Sequence, residues 1–483
     1  MAVSRPNPSA ERVRARLDHP VIDSDGHCIE YLPAVRDLVQ EIAGAGVAAR
    51  FMELTERLRQ WGRLTPEQRQ HVGFMRPPWW GLPTENTLDR ATAMLPRLLH
   101  ERMGELGLDF AVLYPTYGLM VANWDDEEVR RAGARAYNHY LAEVHAPYRD
   151  RLAPVAVIPM HTPDEAVDEL RFARRELGLR AALLPSYVQR PVPMAAGAPR
   201  PATWLDTFAL DSAHDYEPVW SACAELGIAP TFHSGGMGWG SRASTSSYVH
   251  NHIGNFAAAG EAICRALVLG GVPRRFPGLR FAFLEGGVTW GATLYADLLG
   301  HFEKRGGAQV RRYDPSRLDR AQLEKLLAEY APECIGARAD ELTLALRTLS
   351  DPDEPAEALD EFARSGIREA SDLRALFEDA FFFGCEADDP GNAAAFDTRR
   401  NPFGSRLRAL FSSDIGHWDV TDMREVLAEA WEPVEDERLG AADFRAFVFG
   451  NAVALWSAGN PDFFEGTALA EAVRRERAGS RGA

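Results

Sequence analysis

Six residues suited to metal or proton chemistry stand at the ends of apolar runs. They are Asp25 and His27 in VIDSDGH, His233 in IAPTFHSGG, Glu285 in LRFAFLEGG, and Asp414 and His417 in LFSSDIGHWD. Burying a carboxylate or an imidazole is costly unless it is paired or holds a cation. Oxygen and nitrogen donors delivered by separate strand ends therefore point to a bound divalent ion. In VIDSDGH the two-residue period of an extended strand turns Asp23, Asp25 and His27 to one face, so two donors on one strand can bite a single ion. Gly26 lets the backbone bend there. Taken singly, each residue has a plainer reading. Asp25 could cap a turn beside a surface histidine, His233 could be a satisfied structural histidine, and Glu285 could run out into water. Asp414 suits a ligand, a general base, or both, with His417 one short turn later. The joint pattern, donors from four strands at one end, outweighs these separate readings. His250 and His252 in SYVHNHIGN are candidates for a second ion, against an equal case for an exposed loop cluster. His161 and Glu386 rank below them as supporting groups.

Eight short apolar runs have the character of strands covered on both faces: 20–25, 108–116, 152–160, 180–187, 228–234, 279–287, 380–387 and 407–414. Stretches with apolar residues at helical spacing lie between them, at 126–145, 163–178, 217–227 and 254–271. Alternating strand and helix predicts a parallel sheet, and eight such units predict closure into a (β/α)8 TIM barrel of the α/β class. An open doubly wound sheet is the rival. A minimal barrel takes about 250 residues, whereas the chain has 483. We expect a single barrel domain over 18–471, between flexible termini at 1–17 and 472–483. Helical insertions are expected at 34–107 and 306–379, and a long proline- and alanine-rich loop at 188–216. Loops after the strands shape a barrel's pocket. Trp239 and Arg242 fall on one, the tryptophan as an apolar wall for a bulky or aromatic ligand, the arginine as a partner for a substrate carboxylate. Trp79, Trp80 and Trp290 share that placement, although core packing is the commoner role for tryptophan.

The chain is 46% hydrophobic and 25% charged, with a formal net charge of -17. This acidic balance argues against a nucleic-acid backbone or an anionic membrane as partner. No apolar run reaches the roughly 20 residues of a membrane span. The opening MAVSRPNPSAERVRARL lacks the apolar stretch of a secretory leader. Five cysteines without a CxxC pair fit neither a disulfide scaffold nor a zinc ribbon. The expectation is an enzyme of the reducing cytoplasm acting on a small molecule.

With these residues in view, the sequence resembles the amidohydrolase superfamily, in the branch of aminocarboxymuconate-semialdehyde decarboxylase-like enzymes. VIDSDGH, TFHSGG, FPGLRFAFLEGG, FSSDIGHWD and the C-terminal FVFGNAVALW carry the resemblance. It implies a (β/α)8 barrel with one or two divalent ions (Fe, Mn or Zn). Asp25 and His27 match the family's first-strand ligand pair, usually H-x-H. The carboxylate in place of the first histidine favours harder ions such as Mn or Fe. His233 matches the strand-five ligand. Asp414 matches the strand-eight aspartate that ligates metal and handles the proton of the attacking water. Glu285 departs from the histidine that family decarboxylases carry in strand six, and suits a ligand or a base. The leading expectation is hydrolysis of an amide, ester or thioester. The alternative is non-oxidative decarboxylation of an aromatic or unsaturated carboxylate, with His417, His250 or His252 replacing the missing histidine. Relatives are often dimers, so a homodimer is one expected assembly. A metal-free barrel serving only for binding is disfavoured by the intact Asp25, His27, His233 and Asp414.

Overall fold

The computed structural model describes residues 8–77, 85–192, 203–235, 242–347 and 359–480. Eight strands form one sheet in chain order: β1 (Ile22–Cys28), β2 (Phe110–Pro115), β3 (Leu152–Val157), β4 (Ala181–Leu184), β5 (Pro230–Phe232), β6 (Phe281–Phe283), β7 (Phe381–Glu386) and β8 (Arg408–Ser412). Every neighbouring pair is parallel. The last seam joins β8 to β1. There the Asp414 N–H donates to the Asp25 carbonyl at 3.1 Å, and the His27 N–H donates to the Ile415 carbonyl at 3.0 Å. That seam closes the sheet into a (β/α)8 TIM barrel and excludes the open doubly wound alternative. It also sets the candidate donors Asp25, His27 and Asp414 side by side in the chain's own backbone hydrogen bonding.

Asp23 fastens the same seam. Its Oδ1 accepts from the backbone N–H of Asp25 (3.2 Å) and of Ser413 (2.9 Å), and its Oδ2 accepts from the Ser413 hydroxyl. The alternation expected for β1 breaks here, because its register against β2 slips between Asp23 and Gly26. A slip of this kind re-aims side chains. Asp23 therefore serves the joint between β8 and β1, while Asp25 and His27 face the site.

The helices cover the barrel where amphipathic spacing placed them. Glu127–His145 starts at Asp126, whose carboxylate accepts from the Val129 N–H at 3.1 Å. Pro163–Arg175 starts with a reciprocal box between Thr162 and Glu165. Both devices satisfy N–H groups that a helix start leaves open. Asn138, fully buried in the first of these helices, ties it to the end of β3. Its side-chain oxygen accepts from the Val157 N–H (2.7 Å), and its amide nitrogen donates to the Val157 carbonyl (3.0 Å) and to Glu169 Oε1 (2.8 Å). On the outer face of the sheet, Phe232, Phe283 and Phe383 pack ring against ring beneath Trp220 and Trp290. Gly291 allows this approach, since a Cβ there would overlap the Phe383 ring. Inside the barrel, the Tyr114 hydroxyl donates to Thr231 Oγ1 (2.9 Å), which donates to the Ala182 carbonyl (2.9 Å).

Several segments differ from the sequence expectation. Residues 8–14, expected in a flexible terminus, form a helix that buries Ala10 and Val13. Helix Ala470–Ser480 likewise occupies most of 472–483 and buries Val473. Apolar contacts with the barrel's outer layer order both. The 188–216 stretch is not all loop: Val188–Pro191 pairs antiparallel with Thr203–Asp206. In 34–107, the described residues hold five helices, Leu32–Ala43, Ala45–Gly62, Pro66–Val72, Thr87–Met94 and Pro96–Leu106. In 306–379, helix Arg320–Tyr330 has no buried residue, whereas Phe362 and Ile367 reach the core. No helix among the described residues is long and apolar enough to cross a membrane.

Candidate metal centre

The donors all stand at the C-terminal ends of the strands, the end at which barrel enzymes build their sites. Asp25 and His27 lie in β1, and His233 directly follows β5. Glu285 and Asp414 each stand two residues beyond their strand, β6 and β8. Both of those carboxylates have left-handed backbones, with φ of 57° at Glu285 and 51° at Asp414. Non-glycine residues visit this region rarely and at a cost, and such strain collects where function requires a particular side-chain direction. The turn at Glu285 also ends β6 at Phe283, short of the expected 279–287.

Polar atoms cluster around His27. Two overlapping sets of donor atoms each lie within 4.8 Å: His27, Glu285, Asp414 and His417, and Asp25, His27 and His233. His27 Nε2 is 3.5 Å from Asp25 Oδ1 and 3.4 Å from Asp414 Oδ1. His417 Nδ1 is 2.7 Å from Asp414 Oδ1, and its Nε2 lies 3.3 Å from Thr116 Oγ1. The Tyr114 ring forms the floor, about equally near the rings of His27 (6.1 Å) and His233 (6.0 Å).

The pattern of unsatisfied atoms fits a cation. His233 Nδ1 lies 2.8 Å from the Ser234 carbonyl, so that nitrogen carries the proton and Nε2 presents a lone pair. That lone pair faces Glu285 Oε2 at 2.9 Å. Two acceptors at that distance need positive charge between them. Asp25 Oδ1 and both ring nitrogens of His27 are also buried without a hydrogen-bond partner. Buried polar groups are rarely left unpaired, and mixed oxygen and imidazole donors suit a first-row divalent ion. The electrostatics agree. Burial, and then Glu285, Asp419 and Glu386, push the Asp414 carboxyl well above its ordinary range. Burial also raises Asp25, against the opposing pull of His233, and burial followed by Asp419 raises Glu285. Burial, then His417 and His233, hold His27 well below its ordinary value. Mutually repelling carboxylates beside neutral imidazoles form a site that a divalent cation relieves.

A family model described as amidohydrolase matches residues 107–333, a span that includes His233 and Glu285. The match covers just under half of the chain and reaches from β2 to beyond β6. Among solved structures, an amidohydrolase from Mycobacterium avium subsp. paratuberculosis K-10 is similar at 17% identity, covering 91% of this chain and 98% of its own, with a TM-score of 0.49. A dihydroxybenzoic acid decarboxylase from Polaromonas sp. JS666, holding manganese and 2-nitroresorcinol, is similar at 15% identity, covering 92% and 99%, with a TM-score of 0.48. A 5-carboxyvanillate decarboxylase from Novosphingobium aromaticivorans DSM 12444, with bound manganese, is similar at 14% identity, covering 91% and 97%, with a TM-score of 0.47. In this chain Asp25, His27 and His233 form one group of donor atoms, and His27, Glu285, Asp414 and His417 form a second that shares His27. The donor set is that of a divalent-metal enzyme.

Other candidates fall elsewhere. His250 is exposed on the short helix Tyr248–His252, and its backbone N–H donates to Ser247 Oγ. His252 packs edge-on to Phe256 (5.4 Å) and Trp418 (5.6 Å). Neither enters a donor set among the described residues, because the loop after β5 carries them to the rim. Arg242 donates to the Ile253 carbonyl at 2.9 Å and so braces that loop. Trp290 packs against Phe283 and Phe383 in the outer layer. Trp239, Trp79 and Trp80 lie outside the described residues. Sequence reasoning missed the rim itself: Asp388 and Asp389 after β7, and Trp418 and Asp419 after β8, line a cavity of about 380 Å³ with Glu285 and Glu386. The signal was available in CEADDPG and GHWD, polar clusters directly after two strands.

Proposed function

We propose that this enzyme is a metal-dependent hydrolase that cleaves an amide, ester or thioester, with Asp414 as the proton-transfer group. The observation that carries the reading is the convergence of three buried carboxylates, Asp25, Glu285 and Asp414, on His27 and His233. One divalent ion leaves that set with surplus negative charge, which accommodates a neutral carbonyl better than a carboxylate substrate. A cation held by Asp25, His27, His233 and Asp414, with Glu285 beside His233, supplies a Lewis acid that polarises the carbonyl and acidifies water.

The side chains do the rest. Asp414 accepts the proton of the attacking water and returns it to the leaving nitrogen, oxygen or sulfur. His417, held between Asp414 Oδ1 and Thr116 Oγ1, fixes the direction of that carboxylate. Burial, then His233 and His252, lower His417 to about 3, so it acts as a neutral ring. Glu285 Oε2 and His233 Nε2, 2.9 Å apart, would together hold the cation. The test is purified enzyme reconstituted with Mn, Fe or Zn and screened on acyl panels. Turnover of an acyl substrate is expected, with Asp414→Asn slower by roughly 10²–10⁴-fold. Inactivity on every acyl substrate, with carbon dioxide released from aromatic acids, would refute it.

Decarboxylation of an aromatic or unsaturated carboxylate is the second reading. His417 favours it, an imidazole inside the donor set that can relay a proton from the Asp414 carboxyl to a ring carbon. Carbon dioxide release that disappears in His417→Ala, without acyl turnover in the parent, would establish it.

A further inference from the structure

The cavity above the donors has a chemical bias of its own. Four successive strand-to-helix loops build it, and Glu386, Asp388, Asp389 and Asp419 supply carboxylates to its lining. His252, Phe256 and Trp418 supply rings to the same lining, with the Trp418 ring 5.6 Å from that of His252 and exposed to 40%. Glu285 closes the bottom. It is 6% exposed, lines the cavity, and its Oε2 has no hydrogen-bond partner. No lysine or arginine lines the cavity among the described residues.

Carboxylates and aromatic rings lining one cavity form a receptor for a cation. Ammonium and guanidinium groups gain from ring faces as well as from negative charge. An anion would be repelled from the same walls. None of the rim acids joins a donor set for a metal ion among the described residues. An organic cation in the cavity meets both carboxylates and aromatic rings.

We infer that the substrate carries a cationic nitrogen, an alkylammonium or guanidinium group, seated among Asp388, Asp419 and Trp418 while its scissile carbonyl reaches the donors. This deepens the hydrolase reading and rests on it for the carbonyl, but the cation-binding half is measured without turnover.

The experiment is calorimetric titration of the metal-loaded full chain with three probes that share one ring: benzyltrimethylammonium, benzyl alcohol and benzoate. The ammonium is expected to bind at least about tenfold more tightly than the alcohol, and benzoate more weakly than either. Asp388→Asn together with Asp419→Asn should weaken the ammonium by about tenfold and leave the alcohol unchanged, and added salt should weaken only the ammonium. Trp418→Leu should weaken both ring probes, the ammonium more. Both aspartates are exposed, so folding is not at stake in the paired variant. Benzoate binding as tightly as the ammonium, or an ammonium affinity indifferent to the paired variant, would overturn the inference. An inactive enzyme that still selects the ammonium would instead count against hydrolysis alone.

Discussion

Asp23 stands outside both donor sets, yet it decides where two of their members stand. By holding the Asp25 and Ser413 N–H groups on one oxygen, it locks β1 against the residue before Asp414. Groups that orient metal ligands without touching the metal typically matter by 10- to 100-fold in affinity. Asp23→Ala should therefore lower metal affinity by about that factor with all ligands intact; competition against a chelator measures it, and unchanged affinity would contradict this role. Glu30 allows a pH prediction. Burial raises it to about 7, against the pull of the Tyr117 and Gly118 N–H groups that its carboxylate accepts at 3.0 Å. Between an ordinary value of 4.5 and about 7, the folded chain keeps a proton that the unfolded chain has lost. The folded state binds more protons in that window, so this group's contribution falls as pH rises through it. Relative to Glu30→Gln, the parent should lose on the order of 3 kcal/mol between pH 4 and pH 8; urea unfolding curves that stay parallel across the range would rule this out. At this scale the sequence was readable where a polar residue broke an apolar run, as at His233 and Asp414. It was not readable at Asp23, because a register slip in β1 has no local signature.

At the scale of elements, Asn138 joins its helix to β3 by two hydrogen bonds and to Glu169 of the next helix by a third, with no solvent access. Asn138→Ala strands the Val157 N–H and carbonyl, and leaving buried polar groups unmade costs about 1–3 kcal/mol for each group. A loss of about 3 kcal/mol is expected in denaturant unfolding, and a loss below the usual surface range of about 0.5 kcal/mol would remove Asn138 from this role. Apolar runs marked the strands after β1, since residues covered on both faces leave no polar alternation to confuse, whereas β1 reads IDSDGHC and is largely polar. Their ends were less legible. β6 stops at Phe283 because Glu285 turns left-handed, which apolar content does not encode. The hairpin of Val188–Pro191 and Thr203–Asp206 was hidden by the proline and alanine around it.

Over the whole molecule, strands 1 and 8 meet only when the barrel closes, so the donor set exists only in the folded chain. An ion that binds the folded state alone stabilises it by mass action, about 2.7 kcal/mol at a hundredfold excess over its dissociation constant. Chelation should therefore lower the melting temperature by a few degrees, and restoring a divalent ion should recover it; a melting point indifferent to both would leave the donor set without a tenant. The barrel class was legible from the alternation of elements, and the acidic cavity was not, since it arises from four loops that approach only in space. The left-handed backbones of Glu285 and Asp414 carry one more implication. Glycine takes up that conformation freely, so relaxing either position is a route to a hardier molecule. Glu285→Gly should melt higher than the parent in the absence of metal, while losing turnover. Selection for robustness and selection for chemistry would then pull this residue in opposite directions, and an acid kept there against the backbone's own preference marks which pressure has prevailed.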